Sequence, residues 1–127
     1  MRKIIASNDV PEPASAYHHG LLVTSPQQTL YLAGQLGERP DGSISESFDD
    51  QAEQAWANVK ILLAEAGMSV AAIVKVTSYI VGRDNIGAYV ERHREEVGDH
   101  LPPWTLILVD GLGSPDYQVE IDVTAAK

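Results

Sequence analysis

The segment Ile73-Val74-Lys75-Val76-Thr77-Ser78-Tyr79-Ile80-Val81 constrains the fold more than any other part of the chain. β-Branched and aromatic types dominate it, as in a strand. Alternation puts Val74, Val76, Ser78 and Ile80 on one face and Ile73, Lys75, Thr77, Tyr79 and Val81 on the other. Neither set reads as a solvent face, so both sides need cover. Two helices can cover one side. Over residues 48–66, Ala52, Ala55, Trp56, Val59, Leu62, Leu63 and Ala66 recur at three- and four-residue steps and form one stripe. Ser47, with Asp50 three positions later, gives an N-cap, and Gly67 a stop. A second helix is expected over about 85–97, with Ile86, Tyr89, Val90, His93 and Val97 inward and Gly98 beyond its end.

Five more strands surround these elements. Residues 3–6 read as a short strand, and 21–24 and 30–33 as a hairpin joined by Ser25-Pro26-Gln27-Gln28. Residues 37–47 are polar loop, and 104–109 and 117–124 are the last two strands. The order is β-β-β-α-β-α-β-β, an α+β fold with a six-stranded mixed sheet and both helices on one face. The opposite face keeps Tyr79 and Val81 and, by the same alternation, Ile73. A half-apolar sheet face left bare is an association surface, so an oligomer with sheets packed on one another is expected.

Composition narrows the function. The chain has 127 residues, which suits one domain spanning 1–127. Nine Lys+Arg against 18 Asp+Glu give a net charge of −9, which disfavours nucleic acid and anionic membranes as partners. With no cysteine there is no disulfide, thiolate metal site or thiol nucleophile. The start Met1-Arg2-Lys3 is followed by no leader-like apolar run and no window approaches a membrane span, so a cytoplasmic protein is expected. Phosphate-loop, dinucleotide, zinc-protease and nucleophile-elbow motifs are missing. The His18-His19 pair is adjacent on an extended chain and chelates poorly, so no metal is expected there.

Four residues are candidates for chemistry. Val119, Ile121 and Val123 face the helices, which sends Glu120 and Asp122 to the bare face. Buried there between subunits, Glu120 would have the raised pKa that a general acid or base needs near neutrality; the plainer reading is a carboxylate on a partly wet sheet. Trp104, after Pro102-Pro103, is a ligand-stacking wall or plain packing. Tyr17 donates a hydrogen bond to a ligand or caps the core. Gly34 lets a ligand approach the backbone or makes a turn.

Several segments, in this order and spacing, resemble the reactive intermediate deaminase (Rid or YjgF) family. They are Ala16-Tyr17, Leu32-Ala33-Gly34-Gln35, Gln54-Ala55 with Asn58-Val59-Lys60, Ile73-Val74-Lys75-Val76-Thr77, Pro102-Pro103 and Val119-Glu120-Ile121-Asp122-Val123. The resemblance implies a fold similar to trimeric chorismate mutase. It also implies a homotrimer with inward-facing sheets, small-molecule clefts between subunits, and cofactor-free hydrolysis of enamines and imines such as 2-aminoacrylate. It makes Tyr17 and Gly34 cleft residues and Glu120 the acid that positions or activates water. Three places depart. The Gly-Pro that usually precedes the family's cleft tyrosine is Ser15-Ala16 here. Where deaminating members carry Pro-Ala-Arg-Ser, this chain has Pro102-Pro103-Trp104-Thr105. The asparagine that members often carry in the second helix falls near Val90.

The family arginine would clamp a substrate carboxylate, which tryptophan cannot do. Trp104 in its place favours a neutral, aromatic or cationic ligand and argues against efficient 2-aminoacrylate hydrolysis. Two readings follow. One is a hydrolase of some other C–N-bonded metabolite, with Glu120 catalytic and Tyr17, Gly34 and Trp104 binding substrate. The other is a non-catalytic metabolite-binding or chaperone-like trimer. A ribonuclease is disfavoured by the lack of a basic stripe.

Overall fold

The computed structural model describes all of residues 1–127. In chain order the elements are β1 (Arg2–Ile5), β2 (Gly20–Val23), β3 (Thr29–Tyr31), β4 (Gln35–Leu36), α1 (Phe48–Glu65), β5 (Ile73–Val81), α2 (Ile86–Val97), β6 (Trp104–Val109) and β7 (Val119–Ala126). The α+β class expected from the sequence is present, with both helices packed on one face of a mixed sheet. The strand order is β3-β7-β5-β6, with β4 also on β7. β5 and β6 are parallel, and α2 is the crossover between them. No helix is long and apolar enough to cross a membrane.

The sheet differs from expectation in its partition. There are seven strands rather than six, and β1 and β2 form a separate antiparallel pair. The anticipated hairpin between the strands at 21–24 and 30–33 does not form, because β2 pairs with β1 while β3 pairs with β7. The long β7 is the stronger partner for β3, and Gln28 and Lys127 exchange backbone hydrogen bonds at 3.0 Å where that pairing ends.

A second correction concerns β5. Ile73 pairs with Ala125 and Lys75 with Thr124, so two steps on β5 oppose one on β7. This bulge turns Ile73 to the helix side, where it is fully buried with Val76, Ser78 and Ile80, and leaves Val74 only half-buried. Simple alternation fails at that one point and holds from Lys75 onward.

Helix α1 begins as its cap chemistry dictates: Ser47 Oγ accepts from Asp50 N at 3.3 Å. Gly67 just beyond it has φ +68°, open to glycine without penalty. Trp56, Val59 and Leu63 are completely buried, each contributing roughly 1.5–3 kcal/mol of apolar burial. Leu62 lies at the exposed margin of the stripe, and Phe48 and Gln51 join the buried face instead. Gln51 is polar but fully paired. Its Nε2 donates to the carbonyls of Ser45 (2.8 Å) and Asp116 (2.9 Å), and its Oε1 accepts from Gln118 N (2.9 Å). It ties the loop before α1 to the start of β7, the strand that carries Glu120.

Candidate functional site

On β7, Val119, Ile121 and Val123 are buried toward the helices, and Glu120 and Asp122 face away from them, half-buried. Their cross-strand neighbours on β5 are Tyr79 and Thr77. Tyr31 pairs with Thr124 and Gln35 with Ile121, so four steps on one side oppose three on the other. The extra residue falls within Leu32-Ala33-Gly34 and bends the chain beside Glu120. A side chain at Gly34 has no room: a Cβ there would sit 2.7 Å from Glu120 Cδ and 2.9 Å from its Cγ. The Glu120 side chain therefore lies across the Gly34 backbone. Gly34, Tyr79, Glu120, Asp122, Leu32 and Leu112 are among the walls of an open cleft of about 550 Å³. The same face carries Lys75, whose Nζ donates to Thr105 Oγ1 at 2.7 Å and whose pKa is lowered by desolvation.

Trp104 and Tyr17 form a second group. Trp104 pairs with Val76, a residue buried under the helices, so its ring lies on the helix side and Glu120 on the opposite side of the sheet. Trp104 Nε1 donates to Ser78 Oγ (3.0 Å), Ser78 Oγ and Tyr89 Oη share a 2.7 Å hydrogen bond, and Trp56 Nε1 donates to Tyr89 Oη (3.3 Å). His93 stacks on Trp104 with ring centroids 3.7 Å apart and planes 10° from parallel. Tyr17 meets Trp104 edge-on at 6.4 Å, and its Oη accepts from Ala14 N at 3.2 Å. One face and the N–H of the indole are thus committed to the core, leaving the other face and its edge.

His93 and Tyr89 are groups that the sequence placed inward without a role. His93 is completely buried, neither ring nitrogen has a partner, and burial pushes its pKa down to about 4. Burial likewise pushes the Tyr89 phenol up to about 12, outweighing its bonds to Ser78 and Trp56. The legible signal was Ser78, a hydroxyl alternating with Val76 and Ile80 on a buried face, which demands a polar partner from the covering helix. His18 and His19 do not share a site: the His19 ring donates to Pro11 O at 2.5 Å, while His18 lines a separate pocket.

A bulged, glycine-lined cleft under a sheet carboxylate can be compared with known proteins. The sequence profile of the family described as Endoribonuclease L-PSP matches residues 7–127. The chain belongs to this family, the Rid or YjgF family. Among its Rid-family relatives is a RutC family protein of Aquifex aeolicus, 36% identical and covering 97% of this chain and 98% of its own. The 2-iminobutanoate/2-iminopropanoate deaminase of Rattus norvegicus is 26% identical over 100% of this chain and 91% of its own. Among solved Rid structures, YyfB of Yersinia pestis, a protein of unknown function, aligns with a TM-score of 0.86 at 25% identity, covering 99% of this chain and 98% of that one.

Proposed function

We propose that the chain works as a homotrimer with its helix-free sheet faces turned inward. The Glu120 cleft binds a small metabolite at a subunit boundary and hydrolyses a C–N bond of the imine or enamine kind. The observation that carries this reading is the Gly34–Glu120 contact, which fixes a carboxylate at the edge of an open cleft on the helix-free face. Glu120 would accept a proton from the attacking water as it adds to the C=N carbon and pass it to the nitrogen; the carbinolamine would then break its C–N bond to give the carbonyl and release ammonia. The names of relatives such as the rat deaminase support the reaction class.

Tyr17 and Trp104 lie across the sheet from Glu120 in the same chain, so they would meet a ligand in this cleft from a neighbouring subunit. There they would offer a phenol and a half-covered indole, with no guanidinium to hold a carboxylate. 2-Aminoacrylate, which depends on such a clamp, is therefore expected to be a poor substrate. The engagement of Trp104 in the core favours the second reading, a non-catalytic binding trimer.

One set of experiments separates these readings. Imines and enamines of neutral and aromatic amino acids, and 2-aminoacrylate, are generated in situ, and ammonia and keto-acid release are followed. Catalysed release from at least one uncharged-side-chain substrate, lost about 10²–10⁴-fold in Glu120→Gln while sedimentation equilibrium still shows a trimer, supports the hydrolase. No acceleration of any of them leaves the binding trimer. Fast pyruvate release from 2-aminoacrylate overturns the ligand preference, and a monomer at micromolar concentration overturns the assembly.

A further inference from the structure

We infer a binding site for a small oxyanion in the pocket between the β1–β2 pair and the segment that leads into β6, apart from the Glu120 cleft. Arg2, His18 and His100 line it together with Leu101, Pro102 and Pro103 in a volume of about 290 Å³, and no carboxylate is among its walls. In a chain of net charge −9, a concave site with three basic side chains and no acid runs against the composition.

The positive charge there is fixed in place. Arg2 donates from Nη1 to Ala71 O at 2.6 Å and from Nη2 to Ala72 O at 3.0 Å and to Ala126 O. Three of its five N–H groups are so used, and the other two make no hydrogen bond within the chain. None of the ion pairs in the structure involves Arg2, so no carboxylate neutralises it. His100 is oriented as well. Its Nε2–H donates to Ile73 O at 2.6 Å, which fixes the ring, so Nδ1 is an acceptor in the neutral ring and a donor to an anion only in the protonated ring. Between the two histidines the backbone is strained. Leu101 has φ +50° and ψ +56°, a left-handed conformation unfavourable for a branched residue, and its carbonyl is held by His18 N at 3.0 Å. The hydrogen bond, not the strain, keeps His18 and His100 at one pocket.

The volume suits a phosphate or a small organic carboxylate rather than a nucleotide. The imidazole resonances of His18 and His100 are followed by NMR, assigned with His18→Asn and His100→Gln. Potassium phosphate and sodium acetate are titrated separately, at constant ionic strength held with chloride. Saturable shifts with a midpoint in the millimolar range are expected, with phosphate or acetate favoured according to whether the site takes phosphoryl or carboxylate groups. Arg2→Gln should raise the midpoint at least about tenfold, and His18→Asn, on a half-buried ring, about threefold without disturbing the fold. Shifts that stay linear to about 50 mM, or that are the same in His18→Asn and the parent, overturn the site.

Discussion

The two faces of the main sheet are built to different rules. On the helix side, Ile73, Val76, Ile80, Ile121 and Val123 are closed over by Trp56, Val59, Leu63 and Tyr89, and the polar atoms of Ser78, Tyr89, Trp56 and Trp104 hydrogen-bond with one another. On the other side, Glu120, Asp122 and Tyr79 stand around an open cleft, half-buried and unsealed. The first face holds the fold together and has little freedom to change. The second carries the cleft, which is where a family can vary its chemistry.

The sharpest way to break this contrast is on the covered side. Trp56→Ala should cost about 3–5 kcal/mol in urea unfolding, since the cavity cannot close and Tyr89 loses a donor. The same truncation at Ile61, which is 59% exposed on the outer surface of α1, should cost less than about 1 kcal/mol. Similar losses at both positions would abolish the distinction.

The next effect is one of pH. His93 is neutral in the fold with a pKa of about 4, against 6.5 for a free imidazole. Between those values the unfolded chain binds a proton that the folded chain does not. The stabilisation is therefore complete above about pH 6.5 and is lost as the pH falls through 4, by about 3 kcal/mol in all. Urea midpoints at pH 7 and pH 4.5 should diverge more in the parent than in His93→Phe, which keeps the stack on Trp104 and removes the titration. Equal slopes would show that acid sensitivity comes from the carboxylates of the open face instead.

A stability change smaller than those at Trp56 and His93 should come from Gly34→Ala. The added Cβ meets only the flexible Glu120 side chain, so unfolding should shift by less than about 1 kcal/mol while turnover or ligand binding in the cleft falls with the displaced carboxylate. A large loss of stability with function intact would move Gly34 into the structural half of the comparison.

The legibility of the molecule divides along similar lines. The helices, the Ser47 cap and the direction of Glu120 follow from local chemistry and alternation, because one side chain and its near neighbours decide them. What escaped were matters of register. The pairing of Val76 with Trp104 decides which side of the sheet the indole occupies, and no local pattern encodes it. The bulge at Ile73, the pairing of β3 with β7 instead of β2, and the burial of Gln51 each depend on partners far along the chain. His93 was readable as an inward residue, but its unpartnered nitrogens become evident only once Trp104 is laid against it.

The bulge at Leu32–Gly34 sets the phase of the sheet on either side of it. Removing one residue there would restore even pairing between β3–β4 and β7, and would turn Gln35 and Leu36 over to the opposite surface. The glycine over Glu120 would go with them. For a descendant of this chain, the change that most surely erases the cleft is therefore not a substitution at any of its named residues. It is a single lost codon in the strand beside them.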